Sequence, residues 1–311
     1  MQSTKTTAFH HSRRVPLVQI GDWPTLGLWI ACYVGWGAAL FVLPQVSFLL
    51  ACIALVVVLV LQSSLSHEIL HGHPFTNLKI NSALGLLAVG LLVPYIRFRD
   101  THLAHHVDER LTDPYDDPES NFCDPAVWAA KPAWARALLR FNNTMFGRML
   151  VGPAISQWAF MLADARAMIA GNRTIARAWA LHIPAILATI LIVSWAGFSM
   201  LAYLAACYAA MSILKIRTFL EHRTQDDPTA RTVIVEGRGV LSFLFLNNNL
   251  HVVHHLHPKV AWHVLPRLYR ENKASYQTCN NGYVYTSYAQ IFRKHFFKAK
   301  DPVPHPRWPL V

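Results

Sequence analysis

Three short stretches of this chain gather histidines at spacings that could hold a metal: HEILH (67–71), HLAHH (102–106) and HVVHH (251–255). Residues at i, i+3 and i+4 share one helix face, so His102, His105 and His106 form one stripe and His251, His254 and His255 another. His67 and His71 lie one turn apart. Alone, HEILH reads as the H-E-x-x-H signature of a zinc protease, with Glu68 as general base. Adjacent histidines repel one another once charged, so a shared metal is the economical reason for the stripes. Five or six ring nitrogens saturate one ion, so eight clustered histidines suggest two. Imidazole without thiols suits zinc, copper, iron or nickel. Zinc has no redox chemistry and normally takes four ligands. Soluble di-iron bundles need two E-x-x-H motifs, and only one falls in a cluster here, at Glu68–His71. His10, His11, His182, His295 and His305 stand alone and are expected to be ordinary surface or core residues. His73, His257 and His263 flank the clusters and stay unassigned.

The elements that must position these rings are apolar. The chain is 53% hydrophobic and only 14% charged, whereas soluble domains are about a quarter charged. Residues 25–66 and 178–214 carry no Asp, Glu, Lys or Arg. One crossing takes about 20 residues, so each block is long enough for a helical hairpin, turning at Pro44-Gln45 and at Gly197–Ser199. The basic N-terminus has no small-residue cleavage site after a short apolar core, so a retained first span is expected. Five scattered cysteines suggest neither a disulfide framework nor a zinc ribbon. The net charge of +11 sits beside the apolar blocks, which points to membrane orientation and not to nucleic acid. Both hairpin turns lack Lys and Arg. Lys5, Arg13, Arg14, Arg173, Arg177, Lys215, Arg217 and Arg223 lie beyond the hairpins, which places the termini, the long loops and all three histidine stretches in the cytoplasm. Residues 80–96 are short for a span and read as a re-entrant or interfacial helix. Residues 149–170, interrupted by Asp164 and Arg166, read as interfacial too. The expected fold is therefore an all-α polytopic membrane protein. It has two transmembrane helical hairpins, interfacial helices and a cytoplasmic histidine-rich metal-binding cap. Residues 1–24 form a cytoplasmic segment, 25–270 the membrane domain and 271–311 a cytoplasmic tail.

The order HEILH, HLAHH, HVVHH resembles the three histidine boxes of the integral-membrane fatty acid desaturases and hydroxylases. The resemblance covers roughly residues 25–270. LTDPYDDPES, IRTFLEHR, NNNLHVVHH and WHVLPRLY are similar to bacterial members. It implies two iron ions on His67, His71, His102, His105, His106, His251, His254 and His255, with His222 of FLEHR completing the set. It also implies O2 as co-substrate. Neither terminus has room for a fused cytochrome b5, so electrons are expected from a separate ferredoxin or rubredoxin. The implied enzyme is an oxidoreductase of the bacterial inner membrane, an acyl-lipid desaturase acting on a lipid or other hydrophobic substrate. HHLHP followed by a tryptophan also resembles carotenoid ketolases and hydroxylases of the same superfamily, and some relatives act on small metabolites. Acids should hold the rings by their other N–H; Asp100, Asp108, Glu109 and Glu221 lie beside ligands. The PYDDPES loop could cover the site, bind a head group or be a solvated turn. Two other classes compete. An intramembrane zinc protease built on HEILH needs a third ligand, absent from the uncharged blocks, and leaves the other two boxes unexplained. A metal transporter would place polar ligands inside the spans.

Overall fold

The computed structural model describes residues 22–309, except the side chain of Asp108. Lys5, His10, His11, Arg13 and Arg14 lie outside the described residues. The first helix, α1 (Trp23–Phe41), starts where the Asp22 carboxylate accepts from Thr25 N at 3.2 Å, with Pro24 in the first turn. This is a good N-terminus because the cap satisfies an otherwise orphaned N–H and proline lacks one. A 3₁₀ turn at Leu43–Gln45 reverses the chain, and Ser47 caps α2 (Phe48–Leu70) through Leu50 N at 3.3 Å. The second hairpin pairs α9 (Arg173–Trp195) with α10 (Met200–Thr218). Between these two, Gly197 adopts a φ of 66°, a conformation glycine reaches without strain. These four segments are long and apolar enough to cross a membrane. The 23 residues of α2 rise about 35 Å. The hydrocarbon core is about 30 Å thick, so the C-terminal turn of α2 can stand clear of it.

The remaining helices run from 5 to 18 residues. They are α3 (Leu78–Leu86), α4 (Tyr95–His105), α5 (Pro125–Ala130), α6 (Ala133–Asn142), α7 (Met145–Leu150) and α8 (Gly152–Ile169) before the second hairpin. After it come α11 (Val240–Leu244), α12 (His251–Leu256), α13 (Leu265–Glu271), α14 (Lys273–Cys279) and α15 (Tyr288–His295). Among the described residues the only sheet is a parallel pair of two-residue strands, β1 (Ile234–Val235) and β2 (Val284–Tyr285). The protein is thus an all-α polytopic fold. α2 packs against both α1 and α10. Trp36, Leu40, Leu55, Leu59, Tyr203 and Cys207 are buried together there. Large apolar side chains such as Val34, Leu49, Ile53, Leu191, Trp195 and Leu201 point outward, as a lipid-facing surface requires.

Residues 80–96 differ from the single helix expected. α3 stops at Leu86, residues 87–94 are irregular with Leu91 at φ 61°, and Pro94 leads into α4. Proline disfavours a helical residue before it. Four of the freed carbonyls are met by side chains from other helices. Tyr33 Oη donates to Leu87 O, Tyr203 Oη to Val89 O at 2.7 Å, and Gln157 Nε2 to Leu92 O at 2.7 Å. His182 Nε2 pairs with Leu91 O at 3.0 Å. Irregular backbone is tolerated at membrane depth only when protein satisfies it in this way. Asp164 is no interruption either. Buried in α8, it accepts two bonds from Arg97 of α4, both at 2.9 Å, and one from Trp179 Nε1 of α9 at 2.8 Å. The acid that looks misplaced in an apolar stretch tethers α4 to two neighbours.

Candidate metal centre

The first two histidine boxes end helices and the third makes up most of the short α12. His67 is in the last turn of α2 and His71 caps it; His102 and His105 are in the last turn of α4 and His106 caps it. His251, His254 and His255 lie on α12. Each asparagine of the NNN stretch before α12 makes a side-chain contact. Asn247 Nδ2 donates to Trp262 O at 3.0 Å, Asn248 Oδ1 meets His251 Nδ1 at 2.9 Å, and Asn249 Nδ2 donates to Val235 O at 2.6 Å. His222 follows α10 and bridges to Thr232.

All nine histidines converge, in two groups. His67, His71, His102, His106 and His254 offer nitrogens within 4.8 Å of one another, and so do His105, His222, His251 and His255. The groups abut, since the His106 and His255 rings stack at 4.3 Å and 19°. α4 and α12 each contribute to both. Within the first group, Nε2 of His106 lies 3.0 Å from that of His102 and 3.1 Å from that of His254. Within the second, Nε2 of His222 lies 2.8 Å from that of His105 and 3.1 Å from that of His251. With metal–nitrogen bonds of about 2.1 Å, neighbouring ligands of an octahedral ion sit about 3.0 Å apart, so these spacings fit ligand pairs.

The outer contacts decide which nitrogen is available. His102 Nδ1 donates to Glu119 Oε1 at 2.9 Å, and His105 Nδ1 to Asp117 Oδ1 at 2.7 Å. His251 Nδ1 donates to Asn248. Each bond leaves the Nε2 lone pair facing inward, as metal ligation requires. His67 Nε2 and His71 Nε2 are buried and have no protein partner among the described residues, which a metal would resolve. Burial, then the neighbouring rings, pushes His71, His106, His222, His251 and His254 below the ordinary imidazole range. Buried neutral rings are what a cation needs. His105 is the exception. Burial lowers it, but Glu119 and Asp117 outweigh burial and raise it to about 9. Burial would also raise the Glu119 carboxyl, yet His105 and His102 hold it well below the usual carboxylate range. A metal held there would therefore displace a proton from His105. Metal affinity of the apo-protein is expected to strengthen as pH rises toward about 9 and to weaken below it. Competition titrations with proton-release measurements check this; an affinity independent of pH would refute it.

The acids that hold the rings are not those nearest in sequence. Asp100 pairs with Arg99 at 2.8 Å, and Glu109 is exposed. The side chain of Asp108 lies outside the described residues. Glu221 does approach, at 4.0 Å from His251 Nδ1, while bound to Arg217 at 2.9 Å. The chain leaves α4 after His106 and returns through the DPYDDPES turn, which brings Asp117 and Glu119 back to the rings. Spatial return, not adjacency, selects them. Asp117 Oδ2 also accepts Thr112 N at 2.9 Å, which fixes the turn.

Glu68 faces away from this chemistry. Its Oε2 accepts Trp262 N at 3.0 Å and its Oε1 lies 3.5 Å from His67 Nδ1. His73 and His263 each bind Asp22 at 3.0 Å, so they clasp the start of α1 to the segments after the first and third boxes. His257 rests against the Tyr276 ring. His295 bonds Tyr285 Oη at 3.1 Å and His305 bonds Thr112 Oγ1 at 3.2 Å, so both are buried core residues, as is His182.

A cavity of about 370 Å³ adjoins the centre. Leu59, Phe98, Phe160 and Cys207 line its apolar part, and Glu119 and His222 its metal-facing part.

A helical bundle that delivers nine imidazoles to one end of two membrane-crossing hairpins has the architecture of the membrane desaturases and hydroxylases. The sequence model of the fatty acid desaturase family matches residues 43–288, and the chain belongs to that family. It is accordingly an enzyme of the desaturase and hydroxylase class. No curated protein and no solved structure matches the chain.

Proposed function

We propose that the protein is a membrane-bound, O2-dependent di-iron desaturase that introduces a C=C bond into an unactivated alkyl chain of an acyl lipid. The observation that carries this is the pairing of two abutting histidine groups with an apolar cavity that reaches His222. Five and four imidazoles exceed what one ion needs. A thiol-free, nitrogen-rich set whose rings are held by the Asp117 and Glu119 carboxylates suits iron. When bound, the iron pair supplies the reduction of O2 that makes hydrogen removal from an alkyl C–H possible. Overall, R–CH2–CH2–R′, O2, two electrons and two protons give R–CH=CH–R′ and two waters.

The chain's own residues position and exclude. Leu59, Phe98, Phe160 and Cys207 hold an alkyl chain away from water. Asp117, Glu119 and Asn248 keep the rings in one orientation. The two electrons come from a separate ferredoxin- or rubredoxin-type donor. The basic residues flanking the hairpins support a bacterial inner-membrane location with the metal centre cytoplasmic. On this reading residues 271–311 follow the membrane domain 25–270 on that same side. Purified protein should carry about two irons per chain, as the ligand number requires, and a host expressing it should accumulate unsaturated product under air and none under argon. Zinc-loaded protein with proteolytic activity, or product formed under argon, would overturn the assignment.

Glu68 separates this reading from a zinc protease. A protease needs Glu68 to activate water, so Glu68→Gln would remove turnover with metal retained. Here Glu68 accepts from Trp262 N, and a glutamine oxygen can do the same. Glu68→Gln is expected to keep its iron and a measurable fraction of product formation. Metal analysis beside a turnover assay decides; an inactive variant with full iron contradicts the desaturase reading.

A further inference from the structure

Glu119, Asp117 and Asn248 hold the outer nitrogens of His102, His105 and His251. His222 differs. Its Nε2 faces His105 and His251, but its Nδ1 is buried with no protein partner among the described residues. Leaving a buried polar atom unmet is costly. On the outer side of His222 a second cavity, of about 20 Å³, is lined by His222, Lys300 and Asp301 together with Thr112, Ser120 and Asn143. One water needs about 10–15 Å³ and two to four polar partners, so the cavity has room for one water and not for a larger ligand. Asp301 offers an acceptor. Its Oδ2 is buried and lies 3.0 Å from Lys300 Nζ as an ion pair, yet it takes no well-aligned hydrogen bond among the described residues. Lys300 and Asp301 lie beyond residue 288, where the family match ends. That segment is tied to the rest of the chain. Phe296 O accepts from Phe146 N at 2.9 Å, Val303 O from Cys123 N at 2.9 Å, and Cys123 O from His305 N at 2.8 Å. Lys300 Nζ donates to His222 O, and to Tyr283 Oη at 3.2 Å. Tyr283 Oη donates in turn to Leu220 O at 2.7 Å. The tail therefore grips the main chain around His222, and the cavity lies between the tail and the ring.

We propose that this cavity is a binding site for one water, which accepts from His222 Nδ1–H and donates to Asp301 Oδ2. A bridging water holds two groups nearly as well as a direct bond. Asp301 is thereby the positioning residue of His222, as Asp117 is of His105. The bridge fixes the tautomer that leaves the His222 Nε2 lone pair facing inward. The role given to the bridge rests on the reading of the histidine groups as a metal centre, and it makes the C-terminal tail part of that centre's support.

A high-resolution crystal structure of the metal-free full chain is expected to show one water about 2.7–3.2 Å from both His222 Nδ1 and Asp301 Oδ2. An empty cavity, a side chain filling it, or a water out of reach of either atom overturns the proposal. The consequence for the ring is read by titrating the full chain with Co2+ and counting ions per chain by native mass spectrometry. The native chain is expected to take up two. Asp301→Leu removes the acceptor at similar size, and the Co2+ concentration needed for the second ion is expected to rise about 10–100-fold. Asp301→Asn loses the charge facing Lys300 but keeps an acceptor oxygen, and is expected to restore most of the affinity. If Asp301 acted only through packing or its ion pair with Lys300, the asparagine variant would bind no better than the leucine variant. That result, or native affinity in Asp301→Leu, overturns the positioning role. The crystal structure is read without metal, so a native chain that took up no Co2+ would sink the metal-centre reading and leave the water standing.

Discussion

Product formation is expected to vanish when alanine replaces any one of His67, His71, His102, His105, His106, His251, His254 or His255, and the same is expected for His222. No ring is spare, because each group is closed by side chains from several elements. The first takes rings from α2, α4 and α12, and the second from α4, α12 and the His222 segment. Losing one ring removes a ligand and leaves a buried gap that no neighbour reaches. Activity and iron content should therefore fall together, by more than the 10–100-fold typical of a lost outer partner. Asp117→Ala supplies that comparison. It removes the acceptor of His105 Nδ1 but no ligand, so about 10–100-fold weaker metal binding is expected. Metal analysis and product assays on the same preparations check both. A histidine variant with full iron and normal turnover would remove that residue from the centre.

The largest effect on stability is expected at Asp164. Asp164→Ala leaves the Arg97 guanidinium and the Trp179 indole N–H without their acceptor, in a place where little water reaches. Removing one partner of a buried pair costs about 3–5 kcal/mol, because an uncompensated charge remains. The melting transition in detergent should drop by several degrees. Asp164→Asn, which keeps an acceptor oxygen, should lose less. Arg97 belongs to α4, so the loss should also loosen His102, His105 and His106 and reduce iron retention. An unchanged melting temperature in Asp164→Ala would mean that the tether contributes nothing to the fold.

The hairpins and the boxes were legible in the sequence for local reasons. An uncharged block of hairpin length has one good solution in lipid, and histidine spacing along a helix survives whatever the helix packs against. The same holds for His102, His105 and His106, whose shared face is set by the helical period. His222 is different. It stands alone in sequence, and only the resemblance to the three-box enzymes pointed to it; the fold then places it 2.8 Å from His105. What escaped was settled by contacts distant in the chain. Residues 87–94 look helical by composition, but Tyr33, Gln157, His182 and Tyr203 arrive from four other helices to meet their carbonyls. Asp117 and Glu119 escaped because proximity in sequence favoured Asp100 and Glu109. His73 and His263 escaped because their partner, Asp22, begins a different helix.

Asp117 and Glu119 stand two residues apart on one turn, yet one holds His105 of the second group and the other His102 of the first. α4 and α12 likewise divide their rings between the groups. Ordering either group thus orders the scaffold of its neighbour. A chain with one ion should be scarce relative to chains with none or two, and filling would follow a sigmoidal curve. Iron starvation would then sort a population into complete enzymes and empty ones, and would not dilute every molecule to half strength.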